Sequence, residues 1–233
     1  GAGPGATNLV YTGTGHAIQF GDGGGTDTRY QGLADLTLTG TSAAAGAVKF
    51  NHSRFCGVER VEIKDFTAAG AVGIDVLGGV HNYFNVIRGC KLSNIPTGIR
   101  LSGGTGIGAN SNLIHQCHFG VHSTVAVLID AGDTNIVESC EFNGSTAIGV
   151  RVTGSAVNNK LLANQFDGPT IGWQLDGGAT DTMLAFNSGD AGGAPLNLYR
   201  NGSSDPIALF AVAGDTFKRV QFTAGGVLTL GSG

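Results

Sequence analysis

Proline, methionine and tryptophan are scarce in this chain, with 5, 1 and 1 residues among 233, and charged residues reach only 13%. Lys, Glu, Met and Gln, which favour helices, are also few, whereas Val, Ile, Thr, Asn and Gly abound. A Gly-X-Y period is absent, which excludes collagen, and 41% hydrophobic residues argue against a disordered chain. The composition predicts an all-β protein with many tight turns, in which the 41 glycines supply the positive φ of the bends.

An excess of positive charge is absent as well. The chain has 13 Lys and Arg against 17 Asp and Glu, a net charge of -4, so it offers no basic surface for phosphates. It also has no run of eighteen apolar residues, and its first twenty residues lack the basic start and apolar core of a signal peptide. We therefore expect no nucleic acid and no membrane among its partners. Because the chain begins with Gly rather than Met, its start does not decide export.

An eight-residue pattern recurs along the chain at steps of 23 to 29 residues. Its octets begin at Gln31, Cys56, Asn85, Asn112, Asn135, Asn159, Thr182 and Asp205. The third place is aliphatic in all eight octets: Leu33, Val58, Ile87, Ile114, Val137, Leu161, Leu184 and Ile207. The eighth place is apolar in seven of the eight octets: Leu38, Ile63, Leu92, Phe119, Phe142, Phe166 and Val212, with Gly189 as the exception. The repeat predicts stacked structural units.

The parity of the octet predicts the shape of each unit. Side chains alternate along a strand, so the third and sixth places cannot both point inward unless a corner lies between them. A third alternating strand precedes each octet, as in Val48–Phe50 and Ile99–Leu101. Stacked coils bury their apolar places together. We therefore predict a parallel β-solenoid of about eight to nine coils with three short strands each, over residues 1–214, followed by terminal strands over 215–233 that continue or cap it.

Three octets carry a resemblance to a known family. Asn112–Phe119, Asn135–Phe142 and Asn159–Phe166 look like the NxIxxNxF repeat of right-handed parallel β-helices, the pectate-lyase-like proteins that include bacteriophage tailspikes and related virion adhesins. The resemblance implies a single-stranded right-handed parallel β-helix. It also implies an internal ladder at the sixth place, which fits Asn164 and Asn187.

Cysteine usage does not indicate a disulfide framework. Cys90, Cys117 and Cys140 share the sixth place of neighbouring octets, whereas Cys56 leads its own octet. Side chains that point in parallel from successive coils have an awkward geometry for a disulfide. We interpret all four as buried free thiols that pack as small apolar residues. No cofactor and no metal site are predicted.

The middle residues of the third strand predict an outward polar row. The row reads Gln19, Lys49, Asp75, Arg100, Leu128, Arg151, Gln174 and Asn197. In pectate-lyase-like enzymes this face forms the sugar groove, so the resemblance implies that Lys49, Asp75 and Arg100 could serve a lyase, which uses Arg or Lys as the base. The alternative, which we favour, is a surface ion-pair ladder.

Two carboxylates follow that strand in one column. Asp130 and Asp176 lie two coils apart, about 9.6 Å between backbones, near the upper end of the separation that inverting glycosidases use. Acidic residues beside glycine are also what ordinary turns contain, and this is the interpretation we favour.

The outward places of the octets alternate in charge from coil to coil. They are Glu59 and Glu62, Arg88 and Lys91, His115 and His118, Glu138 and Glu141. We predict cross-coil charge pairing. A zinc site of His115, His118 and His122 is disfavoured because two of these lie on a strand and corner rather than at helical spacing.

Aromatic residues and insertions predict the binding surface. The alternation of its strand makes Trp173 point inward, so it is expected in the core. The tyrosines lie in or near bends, where their rings can stack on sugars. The insertions 77–84 and 102–110 lie on one side of the solenoid, and such insertions often mark a binding face. The predicted binding residues are Tyr83, His81, Asn82, Arg100, Arg151 and Gln174.

Three functions fit these patterns. The favoured one is a virion adhesin, tailspike-like or tail-fibre-like, that binds host surface polysaccharide as part of a homotrimer. The others are a polysaccharide depolymerase of the same fold, with the catalytic residues named above, and a structural spacer. We expect a virion or extracellular location. The strand-like segments 217–222 and 227–230 would expose edges unless neighbouring chains, further domains or virion proteins cover them.

Overall fold

The computed structural model describes residues 7–22, 27–78, 81–103, 108–144, 147–176, 178–185 and 187–188, together with three strands between 206 and 230. These residues form short strands joined by bends. They contain no helix, and so none long and apolar enough to cross a membrane. The all-β prediction is confirmed for this part of the chain.

Four parallel sheets form the walls of a solenoid, and each is numbered by its order along a coil. Sheet 1 consists of Asn8–Val10, Thr37–Thr39, Glu62–Lys64, Lys91–Ser93, His118–Phe119, Glu141–Phe142 and Gln165–Phe166. Sheet 2 consists of His16–Phe20, Gly46–Phe50, Val72–Val76, Thr97–Ser102, Val125–Asp130, Ile148–Thr153 and Ile171–Leu175.

The other two sheets complete each coil. Sheet 3 consists of Thr28–Arg29, Ser53–Arg54, Asn82–Tyr83 and Ala109–Asn110. Sheet 4 consists of Gly32–Ala34, Gly57–Glu59, Val86–Arg88, Leu113–His115, Ile136–Glu138, Lys160–Leu162 and Met183–Ala185. The early coils therefore have a fourth strand of two residues in addition to the three predicted strands.

The interior is built from files of equivalent side chains. Ile87 pairs in register with Ile114, Ile114 with Val137, and Val137 with Leu161, and all four are buried. In the neighbouring file the rings of Phe119, Phe142 and Phe166 stack with centroids 4.7 and 4.6 Å apart. Trp173 is buried against Phe166, as predicted. Each coil buries its apolar face on the next coil, which accounts for the stability of units too small to fold alone.

Two left-handed corners bracket the sheet 4 strand in each of the first six coils. One lies at the fifth octet place, as at Arg60 (φ 52°) and Gln116 (φ 51°), and it is the corner that the parity argument requires. The other immediately precedes the octet, as at Tyr30 (φ 57°) and Phe55 (φ 54°). Most residues at these corners are not glycine, and six described glycines have positive φ, so positive φ accounts for only part of the glycine surplus.

Close approach between coils explains several glycines instead. Gly73, Gly98 and Gly149 lie within strands of sheet 2, where a Cβ atom would come within 2.6 Å of a carbonyl oxygen of the next coil. Alanine occupies the same column at Ala47 and Ala126. This small-residue column makes room for the phenylalanine file, because Phe119 and Phe166 lie within 3.2 Å of the Cβ positions of Gly98 and Gly149.

Buried asparagines form ladders along the axis. At the first octet place, the backbone N–H of Asn112 donates to Oδ1 of Asn135 at 2.9 Å, and that of Asn135 donates to Oδ1 of Asn159 at 3.0 Å. At the sixth place, the N–H of Asn164 donates to Oδ1 of Asn187 at 2.9 Å, which confirms the predicted ladder. These side chains satisfy backbone groups that the corners leave without a strand partner.

All four cysteines are buried free thiols, as predicted. Cys90, Cys117 and Cys140 stack in one file, and Cys140 N–H donates to Oδ1 of Asn164 at 3.0 Å. Desolvation raises the pKa of Cys56, and a hydrogen bond from the Cys90 thiol to Cys117 is the main cause of the raised pKa of Cys90. Because thiolates are the reactive form, Cys56 and Cys90 are inert packing residues.

The solenoid has seven coils in the described residues rather than eight to nine. The octet predicted at Asp205 contains Pro206–Phe210, which pairs antiparallel with Val220–Thr223, and this strand pairs antiparallel with Leu228–Leu230. A parallel strand and an antiparallel strand share the same alternation of apolar residues, so periodicity alone did not distinguish them. The predicted strand at Leu196–Leu198 lies outside the described residues.

Candidate functional site

Asp75 and Arg100, two of the predicted catalytic residues, form an ion pair on sheet 2. Asp75 lies in register between Lys49 and Arg100, as predicted. Arg100 donates from Nε and Nη2 to the two carboxylate oxygens at 2.8 and 2.7 Å, while His16 Nε2 lies 3.9 Å from Asp75 Oδ2. The hydrogen bond to Asp75 raises the pKa of Arg100, and burial lowers that of His16. Asp75 is only 1% exposed, so it is the buried member of this ion pair.

Arg151, Gln174 and Asp176 form a second polar group on the same face. Arg151 Nε donates to Asp176 Oδ2 at 2.6 Å, and Gln174 Nε2 donates to Oδ1 at 2.5 Å. Partial burial raises the pKa of Asp176, but these hydrogen bonds outweigh it and hold the pKa below its usual value. Asp130 lies in register with Thr153, and Val152 with Leu175, so Asp130 and Asp176 stand two coils apart, as predicted. Their role as an acid and base pair stays a prediction.

The outward octet residues pair across coils, as predicted. The pairs are Arg88 with Glu59 at 2.7 Å, Lys91 with Glu62 at 3.6 Å, His115 with Glu138 at 3.2 Å and His118 with Glu141 at 3.9 Å. His122 is buried, its Nδ1 lies 2.9 Å from the carbonyl oxygen of Ile95, and desolvation lowers its pKa to about 4. His115, His118 and His122 are thus occupied in separate contacts.

The remaining predicted binding residues lie on sheet 3. Asn82 is buried, where its Oδ1 accepts hydrogen bonds from the Ser53 backbone at 2.8 Å and hydroxyl at 2.9 Å, so its amide is used inside the coil. Tyr83 is half-buried, and its ring centroid lies 5.4 Å from the guanidinium carbon of Arg54. His81 is more open, with 44% of its side chain exposed.

The predicted binding residues therefore form two groups. Arg100, Arg151 and Gln174 lie on sheet 2, and His81, Asn82 and Tyr83 lie at sheet 3. Residues 79–80 and 104–107 of the two insertions, together with Tyr199, lie outside the described residues. The first insertion also contributes His81 to a cluster of side chains that the sequence did not indicate.

Three side chains just before sheet 3 converge in successive coils. Asp27, His52 and His81 each offer one ligand atom, and these atoms all lie within 4.8 Å of one another. Arg29 Nη2 and Arg54 Nε lie 2.9 and 3.1 Å from Asp27 Oδ2. The hydrogen bond from Arg29 is the main cause of the lowered pKa of Asp27. We call these five residues the corner cluster.

An exposed aromatic stack lies at the corner between sheets 3 and 4. The ring of Tyr30 lies 5.4 Å from that of Phe55, and Phe55 lies 5.2 Å from Phe84, with interplanar angles of 11° and 10°. The three residues are 78%, 45% and 50% exposed. All occupy the left-handed region, a conformation that costs about 1–2 kcal/mol for a residue with a side chain.

A groove of about 590 Å³ runs beside this aromatic stack across the outer face of sheet 4. Its lining includes the three rings together with Gln31 and Glu59. Gly32 and Gly57 occupy the outward place that holds Val86 and then Leu113 in later coils. The depression therefore results from glycines in the first two coils, where larger side chains would fill it.

A longer alignment of the repeats would have revealed both features. Asp27, His52 and His81 stand four places before the octets that begin at Gln31, Cys56 and Asn85. Tyr30, Phe55 and Phe84 stand one place before the same octets. The apolar places that define the repeat lie within the octets, whereas these two columns lie in the bends before them, so the sequence indicated Tyr83 and His81 but not their columns.

Comparison with known families agrees with the architecture. The family model described as "right handed beta helix region" matches residues 37–189 of the 233. The chain belongs to this family. The handedness of the solenoid and the resemblance to right-handed parallel β-helices are thereby confirmed.

Individual relatives add little to this β-helix assignment. The comparison with curated proteins gives no match. Among solved structures, a chain titled "Geobacillus virus E2 - ORF18" is similar at 12% identity and a TM-score of 0.33, with 94% of this chain covered. This chain spans 57% of the length of that structure.

Proposed function

We propose that this β-helix is the polysaccharide-binding domain of a virion adhesin that acts as a homotrimer, and that the glycan lies in the groove beside Tyr30, Phe55 and Phe84. The observation that carries the proposal is the aromatic stack itself. Aromatic rings pack well on the apolar faces of sugars, and Gln31 and Glu59 at the groove supply hydrogen-bonding groups for hydroxyls.

The conformation of the stack supports a role in binding. The same corner place holds Ser111, Thr134 and Asn158 in later coils, all with positive φ. These residues are polar, and Asn is enriched in this region, whereas the exposed aromatic residues bring backbone strain together with apolar exposure. Strained and exposed groups of this kind cluster at binding sites. The first three coils therefore depart from the local preference of the fold at the place where the groove forms.

The state of the carboxylates favours binding over cleavage. Asp75 is buried against Arg100, and Asp176 is held by Arg151 and Gln174. A general acid or base must be able to reach the substrate and exchange a proton, and carboxylates held by arginine are poorly suited to this. Glu59 lies in the groove but pairs with Arg88 at 2.7 Å. The depolymerase alternative would require one of these pairs to open or would rely on Asp130.

The proposed virion location and trimer rest on the resemblance of octets such as Asn135–Phe142 to the repeats of tailspike-like proteins. Size-exclusion chromatography with light scattering on the full chain tests the trimer separately from glycan binding. A mass three times that of the chain is expected, and a stable monomer would contradict the trimer.

Glycan binding can be tested on a panel of purified capsular and cell-surface polysaccharides by affinity electrophoresis. Phe55→Ala is expected to weaken binding about tenfold, since it removes the middle ring of the stack. Met183→Ala, an exposed apolar residue on the same sheet in the last coil, is the matched control and should bind normally. Binding that survives Phe55→Ala unchanged would place the glycan elsewhere. Release of reducing sugar or of unsaturated products would support the depolymerase instead, and no binding to any glycan would favour the spacer.

A further inference from the structure

We propose that Asp27, His52 and His81 form a binding site for one divalent transition-metal ion, with zinc as the representative ion. The inference goes beyond glycan binding and does not depend on it. The three ligand atoms come from three successive coils, so that a bound ion would cross-link the first turns of the solenoid.

The distances between the ligand atoms suit a tetrahedral ion. His52 Nε2 lies 2.9 Å from Asp27 Oδ1, and His81 Nδ1 lies 3.6 Å from the same oxygen. Ligands bound to zinc at about 2.0–2.1 Å in tetrahedral geometry lie about 3.3 Å from one another. These two separations bracket this value, and the two imidazole nitrogens lie within 4.8 Å of each other, so modest rotations of the side chains would bring all three atoms to coordination distance.

One oxygen of Asp27 faces both imidazoles. Asp27 Oδ1 is buried, and although His52 Nε2 lies 2.9 Å and His81 Nδ1 lies 3.6 Å away, no contact to it has hydrogen-bond geometry. A buried carboxylate oxygen without a hydrogen bond is costly, and a cation between it and the two imidazoles would satisfy it. The other oxygen, Oδ2, faces Arg29 and Arg54, so the carboxylate remains fixed while Oδ1 is available to an ion.

The ligand set selects the class of metal. Two imidazoles with one carboxylate suit zinc, nickel, cobalt or copper, whereas calcium and magnesium prefer oxygen ligands alone. His81 is 44% exposed while Asp27 is 13% exposed, so the site opens to solvent on the side of His81 and leaves a position for water. This arrangement of three protein ligands and one open position differs from a closed structural zinc site.

Arg54 is the residue that opposes the ion. Its Nη2 contacts His81 Nδ1, and its Nε lies 3.1 Å from Asp27 Oδ2. A bound ion would displace the guanidinium from His81 while Arg54 keeps its place beside Oδ2. Removing this positive charge is therefore expected to strengthen metal binding, whereas removing a ligand weakens it. This opposite response separates a metal site from an ion-pair network.

The test uses the full chain after dialysis against a chelator. Co²⁺ is titrated while its visible absorption is recorded, and Zn²⁺ is titrated by calorimetry. We expect saturable binding of one ion per chain, a cobalt spectrum of low coordination number, and a Tm that rises with metal concentration. Ca²⁺ and Mg²⁺ are expected not to displace Co²⁺.

Variants locate the ion. His81→Ala and Asp27→Asn are each expected to weaken Co²⁺ binding at least about tenfold. Arg54→Ala is expected to strengthen it, and His118→Ala, an exposed imidazole outside the cluster, is the matched control that retains it. His81 is sufficiently exposed that its loss is compatible with folding, which circular dichroism verifies. Absence of saturable binding in the parent protein, or equal affinity in His81→Ala, would overturn the proposal.

Discussion

Arg100 holds Asp75 through two parallel hydrogen bonds of 2.8 and 2.7 Å, and the carboxylate it holds is almost completely buried. The side chain of Arg100 remains 35% exposed, so the pair lies at the boundary between the sheet and solvent. A bidentate pair of this kind fixes the register of adjacent coils.

Arg100→Ala is expected to destabilise the protein by about 3 kcal/mol, because it leaves the charge of Asp75 buried without its principal partner. Urea unfolding followed by fluorescence measures the change. Arg88→Ala breaks an exposed pair with Glu59 and should cost less than about 1 kcal/mol. Equal losses in the two variants would show that burial of Asp75 does not govern the effect.

Asn135 illustrates the cost of interrupting an internal ladder. Its Oδ1 accepts from the Asn112 backbone at 2.9 Å, and its Nδ2 donates to the Ala109 carbonyl at 2.8 Å. Asn135→Ala leaves the Asn112 N–H and the Ala109 carbonyl oxygen buried without the Asn135 side chain as partner. A loss of about 3 kcal/mol in the free energy of unfolding is therefore expected. Thermal and urea unfolding measure it. Asn143→Ala, whose exposed amide contacts Glu141, should change stability little.

The sequence predicted the interior better than the corners. The file that contains Ile87 and Ile114 follows from aliphatic residues at one place of the repeat, because inward side chains must stack on their equivalents. The row that pairs Asp75 with Arg100 follows from the same register. Burial of Asp75 does not follow, since it depends on how the long side chain of Arg100 and the ring of His16 cover the carboxylate.

The candidate site was only partly predictable for a related reason. The insertion containing His81 and Tyr83 drew attention to the correct corner, but the partners of His81 lie one and two coils earlier, at His52 and Asp27. Bends vary in length from coil to coil. Which bend residues lie next to each other therefore depends on the register of the stacked strands, and the sequence alone does not show it for the bends. The antiparallel strand Pro206–Phe210 was missed because alternation does not encode strand direction.

Gly57 provides a test of the groove that leaves the rings in place. It lies on a strand with an ordinary φ, and an added Cβ would meet only the Val86 carbonyl oxygen at 3.6 Å and a Glu59 oxygen at 4.0 Å. Gly57→Val is therefore expected to fold normally, because valine suits a strand, and to weaken glycan binding by filling the groove. Affinity electrophoresis together with a Tm measurement checks both expectations. Unchanged glycan affinity in a folded Gly57→Val protein would argue against this groove.

His122 is expected to make stability fall as the medium becomes acidic. Burial holds its pKa at about 4 in the folded protein, below the value of 6.5 that is expected for an exposed imidazole. Between these values the unfolded chain binds a proton that the native protein does not, so stability is complete above pH 6.5 and declines towards pH 4. The full difference corresponds to about 3 kcal/mol.

Urea unfolding at about pH 7.5, 5.5 and 4 measures this decline in the free energy of unfolding. His122→Gln removes the titrating group, so its stability is expected to fall about 3 kcal/mol less than that of the parent between the extreme pH values, whatever its stability at neutral pH. His118→Gln, in which an exposed imidazole is replaced, should keep the steep decline because His122 is still buried against the Ile95 carbonyl. A parent-like slope in His122→Gln would assign the acid sensitivity to other groups, with His16 beside Asp75 as the next residue to vary.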